Sequence, residues 1–332
     1  MSAGATTMNR AAPPQSGPRT LVRRLRDGDE IAHLITLCFS ASILLITGLL
    51  VIELWKTSHL SRAQFGWAFF WTRVWDPIFD KFGAAPFIYG TLITSIVALL
   101  IAVPTGLAAA IFLSELAPRK ISDTISFLID LLAAVPSVIY GLLGIFIVVP
   151  LVRTWLGPLL IHTVGYVPII GKLFRGPNYG VGFFTAGIVL AIMVVPFIIS
   201  VSREVLLTVP RDQREAAMAL GATRWESTWQ VVVPWARAGI LGSVFLGLAR
   251  SLGETMAVTM VIGNDPKISE SLLAPGYTIA AVIANEFTEA TGDLYLSSLI
   301  ELGLVLFLMT FILNGLARIL IVATERGGGH PA

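Results

Sequence analysis

Residues 209–240 read VPRDQREAAMALGATRWESTWQVVVPWARAGI, and this polar stretch, set between two long apolar runs, decides the fold. Pro210 suits a first helical position, Ala216, Ala217, Ala219 and Leu220 are strong helix formers, and Gly221 supplies the left-handed residue that ends a helix. Thr223, with Glu226 three residues on, is a capping-box pattern that opens a second helix. Trp225, Trp229 and Val232 are expected along one side of that helix, and Pro234 is expected to end it. A capped pair of helices thus projects between two apolar segments.

The flanking runs set the class. The chain has 332 residues, 55% hydrophobic and 13% charged, against roughly 25% charged in ordinary soluble domains. This composition excludes a soluble enzyme and is the opposite of the disordered signature. A spanning helix needs about 20 apolar residues. Six stretches qualify, at residues 31–54, 86–113, 125–152, 180–202, 238–262 and 296–320. Pro104, Pro136 and Pro196 fall inside them, so bent helices are expected. The predicted fold class is an all-α polytopic membrane protein with six transmembrane helices.

Basic residues are retained on the cytoplasmic side of a membrane. With the N-terminus inside, fourteen Lys and Arg fall on inner segments and eight on longer outer ones, Arg250 lying within the fifth span. Both termini are therefore expected in the cytoplasm and residues 209–240 on the cytoplasmic face of a multi-pass protein. Residues 1–30 read as a disordered tail, 31–55 as the first span, 56–85 as an external loop whose Trp67, Phe69, Phe70, Trp71 and Trp75 anchor it at the interface. Residues 86–322 form the main membrane domain and 323–332 a second cytoplasmic tail. Residues 153–179, rich in Gly and Pro, read as a second external excursion, partly re-entrant.

Little in the chain points to catalysis. The single Cys38 makes no internal disulfide, and His33, His59, His162 and His330 lack metal-ligand spacing. A net charge of +2 gives no reason to expect nucleic acid. The phosphate-loop pattern G-x-x-x-x-G-K-[ST] is absent, its nearest approach at Gly171-Lys172-Leu173 lacking the first glycine and the hydroxyl. No Gly-x-Ser-x-Gly or His-Glu-x-x-His occurs either. No cofactor is expected in this chain, and if ATP is used, another chain hydrolyses it.

The fifth span carries Arg250 near mid-membrane and Glu254 four residues on. Each such charge costs roughly 2.5–3.5 kcal/mol at a helix centre, against about 0.3–0.6 kcal/mol returned per Leu, Ile, Val or Phe. That side of the helix must face partner helices or water. A spacing of four places both side chains on one helical face, where the plainer reading is an intrahelical ion pair. The functional reading is that the guanidinium fork receives an oxyanion, with Glu254 orienting Arg250 and weakening retention. Gly242, Gly247, Ser251 and Gly253 permit close helix approach or a wider pathway. Asp130 and Glu301 are read as structural acids. An acidic outer segment at residues 265–293 suits a docking protein better than a free anion.

The pattern Glu215-Ala216-Ala217-x3-Gly221-x9-Val231-x-Val233-Pro234 resembles the EAA loop of ABC importer permeases in every spacing, Val231 and Val233 standing where Ile and Leu are usual. Residues 83–118, 128–144 and 249–264 are similar to PstC-type permease subunits of phosphate ABC importers, the run ARSLGETMAVTMVIGN being the most discriminating. The resemblance implies a type I importer (MetI-like) fold and a PstA-like second permease. It also implies two PstB-like ATPase subunits, which bind ATP and Mg, and an extracytoplasmic phosphate-binding protein, all working in a bacterial cytoplasmic membrane. In that family the loop, here Glu215, Ala216, Ala217, Gly221 and Pro234, docks into the ATPase, and Arg250 and Glu254 stand where residues linked with phosphate passage lie. An ion-gradient-driven anion transporter or channel, a lipid-phosphate enzyme, and an ABC permease for phosphonate, molybdate or sulfate stay open as rival readings.

Overall fold

The computed structural model describes residues 29–168 and 170–326. The chain divides into two units, residues 1–53 and 54–332. The described part of the first is the bulk of helix α1 (Asp29–Thr57), whose side chains from Ala32 to Leu50 are exposed. The expected tail at residues 1–30 lies almost wholly outside the described residues. In the described part of 323–332 the last helix runs on to Arg326.

The second unit is built from helices. They are α2 (His59–Phe65), α3 (Ala85–Leu116), α4 (Arg119–Ala133), α5 (Ser137–Tyr166) and α6 (Phe183–Leu207), then α7 (Arg211–Ala219), α8 (Arg224–Leu252), α9 (Met256–Thr259), α10 (Ile279–Glu286) and α11 (Asp293–Arg326). Among the described residues there is no strand, only two isolated bridges. Helices α1, α3, α5, α6, α8 and α11 are long and apolar enough to cross a bilayer.

Two spans differ from the sequence expectation. The third begins at Ser137, not at 125, because residues 119–133 form a separate amphipathic helix. Pro136 disfavours helix at the residue before it and is the N-cap of α5, so it starts the span instead of bending it. The span then continues through two π-turns to Tyr166, absorbing half of the expected external excursion at 153–179. The fifth span covers residues 224–252, not 238–262.

The 56–85 segment is not a simple surface loop. Trp67 and Trp71 are exposed, as anchoring requires, but Phe69, Trp75 and Phe82 are buried against Phe87, Tyr277 and Leu299. The Trp75 indole N–H donates to Glu286 at 2.8 Å, and the Tyr295 hydroxyl donates to the same oxygen at 2.6 Å. Burial pushes the nearby Tyr277 phenol up to about 12, so it stays neutral as it accepts from Asn285.

Helices α3 and α6 pack most intimately. Gly187 on α6 lies so close to Val97 on α3 that any Cβ would overlap that side chain. In a lipid solvent such close approach supplies the dispersion contact that drives helix association. Around this seam Ala98, Ala102, Leu190, Met193, Val194 and Ile198 are buried with Val258 and Val261 from the segment after α8.

Candidate functional site

The hairpin of α7 and the start of α8 forms as its caps dictate. Pro210 is the N-cap of α7, one position earlier than expected. Gly221 has φ +92°, the left-handed region that a Cβ disfavours, and turns the chain into Thr223. The capping box is complete, since Thr223 Oγ1 accepts from the Glu226 amide and the Glu226 carboxylate accepts from the Thr223 amide at 2.8 Å. Trp225 and Trp229 pack edge to face at 5.6 Å on the exposed side.

Two expectations about α8 are overturned. Val232 is fully buried, away from the two tryptophans, because residues 228–232 form a π-turn that rotates the residues after it. Pro234 does not end the helix. The π-turn already interrupts the regular ladder, so a residue without an N–H fits, and the helix runs on unbroken to Leu252.

Between α7 and α8 lies an open cleft of about 660 Å³ whose walls include Ala216, Ala217, Gly221, Glu226 and Gln230. Leu220 at its lip is 91% exposed. Small side chains on the floor let another backbone approach, with carboxylate and amide groups to orient it. Glu215 is exposed on α7 outside the cleft wall, and Pro234 is exposed within α8.

Sequence reading missed the side chain that holds this hairpin. The Arg214 fork donates from Nε to Glu115 Oε2 at 3.1 Å and from Nη2 to Glu115 Oε1 at 2.8 Å. It also donates to the carbonyls of Leu206, at 2.8 Å, and Val209. One guanidinium thus ties α7 to the ends of α3 and α6. The pair is 99 residues apart in sequence, so no local pattern reveals it; an acid at the end of an apolar run is the one available signal.

At the far end of α8 the pairing expected from spacing does not form. The helix stops at Leu252 and Gly253 begins a break, so Arg250 and Glu254 do not share a helical face. Glu254 Oε1 instead accepts from the Ala257 amide at 3.3 Å, capping α9. Among the described residues Arg250 makes no ion pair. Its guanidinium is exposed and lies 5.8 Å from the Phe197 ring. Phe197 is about 21 Å along α6 from Phe183 and about 15 Å from Leu207, at 1.5 Å per residue, so Arg250, two residues from the end of α8, lies level with the middle of α6. Gly242 borders open space and Gly253 meets only the Ala249 carbonyl at 3.8 Å, whereas Gly247 is packed against Val194 and Ile198.

Toward the hairpin from Phe197, α6 continues with polar groups. Ser200 donates to Asp130 of α4 at 2.6 Å, and Arg203 meets Asp123 at 3.7 Å and Glu204 at 3.5 Å. Asp130, Ser200, Arg203 and Glu204 line a hollow of about 310 Å³. Asp130, read from sequence as merely structural, is one wall of this polar stripe.

The model for binding-protein-dependent transport system inner membrane components matches residues 102–325. The phosphate transport system permease protein PstC of Mesorhizobium japonicum is 47% identical over 308 residues, covering 93% of this chain and 94% of that protein. The PstC protein of Xylella fastidiosa (strain Temecula1) is 49% identical over 277 residues, covering 83% and 85%. Among solved structures, a chain of a bacterial alginate ABC transporter in complex with an alginate pentasaccharide-bound periplasmic protein aligns with a TM-score of 0.58. That alignment covers 93% of this chain and all of that one at 14% identity, a likeness of fold alone. With two thirds of its length in the family match and nearly all of it aligned to such relatives, the chain belongs to the binding-protein-dependent transport system inner membrane components.

Proposed function

We propose that this chain is the PstC-type permease subunit of an ATP-driven importer of inorganic phosphate in a bacterial plasma membrane. The observation that carries the reading is the unpaired, exposed Arg250, level with the middle of α6 and beside a helix break. An unpaired charge there is too costly to face lipid, so it faces water or a partner subunit, and a planar fork of donors suits a tetrahedral oxyanion. Phosphate moves past Arg250 and then along the Ser200 and Arg203 stripe, where Arg203 binds weakly enough for release because Asp123, Asp130 and Glu204 stand close by.

This chain breaks no bond. The cleft between α7 and α8 receives a segment of a separate ATPase, PstB-like and present in two copies, which holds ATP and Mg. A PstA-like permease completes the pathway opposite Arg250, and a phosphate-loaded extracytoplasmic binding protein docks at the end away from the hairpin. Both termini and the hairpin then lie in the cytoplasm, in agreement with the distribution of Lys and Arg. The test is phosphate uptake and ATP turnover by the reconstituted complex carrying Arg250→Ala. Loss of uptake with folding intact supports the reading, and unchanged uptake overturns it.

A further inference from the structure

At the end of the bundle opposite the hairpin, α2 is fastened to the start of α11. The Ser61 amide donates to Ser297 Oγ at 3.1 Å, and the Ser298 hydroxyl donates to Ser61 Oγ at 3.1 Å. One turn further along α11 stands Glu301, 4% exposed, with its Oε2 buried and without a hydrogen-bond partner. A buried carboxylate oxygen lacking a donor is costly, and native structures leave few of them.

Glu301 belongs to the wall of a pocket of about 290 Å³ whose other walls include Trp55, Trp67, Phe70 and Leu304, with Arg62 among them. The Arg62 guanidinium lies over the Trp55 ring at 3.7 Å, donates from Nε to Ser58 Oγ at 3.1 Å and donates from Nη2 to the Trp55 carbonyl, which leaves its Nη1 donors free. Among the described residues it makes no ion pair, not even with Glu301. The pocket therefore holds one guanidinium and one buried carboxyl group that form no direct ion pair, on apolar walls, at a helix end where tryptophans collect. The phosphate pathway uses neither residue.

We infer that this pocket is a binding site for a phospholipid whose headgroup carries a primary ammonium. The lipid phosphate meets the Nη1 donors of Arg62, the ammonium donates to Glu301, and the acyl chains leave along Leu304 and Leu308. Rotation about the terminal torsion of Glu301, which is broad for an sp³–sp² bond, turns Oε2 toward the ammonium at little cost. An anionic lipid or free phosphate would satisfy Arg62 but be repelled by Glu301. A zwitterion matches both charges.

The full chain purified in mild detergent provides the test, through its thermal unfolding with added dioleoyl-phosphatidylethanolamine, dioleoyl-phosphatidylglycerol or inorganic phosphate. Phosphatidylethanolamine is expected to raise the midpoint at concentrations where the other two do not. Glu301→Gln is expected to weaken that response about tenfold or more, the value of one charge-assisted hydrogen bond. Leu304→Trp, which fills the pocket and leaves both charges in place, is expected to abolish it. Equal shifts from the two lipids, a shift from inorganic phosphate alone, or a response unchanged by both variants would overturn the inference. A photo-crosslinker at Leu308 in the assembled transporter gives an independent readout: captured lipid supports the site, and a captured protein chain refutes it.

Discussion

Removing Arg214 should loosen the hairpin from the membrane bundle by an amount the geometry sets. Arg214→Ala deletes two bonds to Glu115 and two to the carbonyls of Leu206 and Val209. It leaves a carboxylate whose side chain is 9% exposed without its partner. Breaking one side of a buried pair costs roughly 3–5 kcal/mol, and because the Arg214 side chain keeps 18% exposure, water relieves part of that. The expected loss is therefore about 3 kcal/mol. Glu115→Gln keeps the carbonyl bonds and should cost only about 1–2 kcal/mol. Detergent-induced unfolding of wild type, Arg214→Ala, Glu115→Ala and the double variant gives the coupling energy, expected at about 2 kcal/mol. Reconstituted Arg214→Ala complex should also lose stimulation of ATP turnover by loaded binding protein. Additive single variants, within about 0.5 kcal/mol, would refute the clamp.

Three further outcomes are expected. Gly221→Val places a β-branched residue at φ +92°, with open space around it, so it should strain the backbone by about 1–2 kcal/mol and impair ATPase coupling, while Gly221→Asn should be tolerated; normal coupling in the valine variant would count against the hairpin's role. Arg250→Gln should reduce phosphate uptake at least about tenfold and move stability by no more than about 0.5 kcal/mol, since no hydrogen bond is lost; a large drop in thermal midpoint would mean the residue is structural. Gly187→Leu drives a side chain into Val97 and should destabilise the α3 and α6 seam by about 1–3 kcal/mol, readable as a lowered unfolding midpoint without any change in the hairpin's accessibility to a cysteine probe.

Much of this architecture is legible in the sequence where hydropathy and caps agree. The spans around α3, α6 and α11 lie within a few residues of their apolar runs. The turn at Gly221 and the capping box at Thr223 arise from local chemistry that tertiary contacts do not disturb. Failures occur where an apolar run hides a break or a polar stretch hides continuity. Residues 125–133 are apolar enough to join the third span, yet Pro136 separates them. Pro234 looks like a stop, yet a π-turn absorbs it. The aromatic residues of 56–85 divide into anchors and core according to partners far along the chain, such as Glu286 for Trp75. Arg250 and Glu254 are identifiable as unusual charges, but their relation depends on whether the helix persists through Gly253, which spacing alone does not reveal.

The continuity of α8 joins the two halves of the proposed function. From Arg224 at the hairpin to Arg250 beside Phe197 the helix spans about 39 Å at 1.5 Å per residue. A tilt of about 10° pivoting at the hairpin would carry the guanidinium some 7 Å, by the same rise, more than the 5.8 Å that now separates it from the Phe197 ring. Had Pro234 ended the helix, a push on the cleft would dissipate in a loop; had the helix continued beyond Leu252, Arg250 would be fixed by its own i+4 neighbour. The helix from Arg224 through the π-turn at 228–232 to the break at Gly253 is therefore one continuous lever, with the proposed surface for an outside force at one end and an unpaired charge at the other. Small changes at the hairpin are amplified along such a lever because packed helices shift as bodies and do not deform continuously.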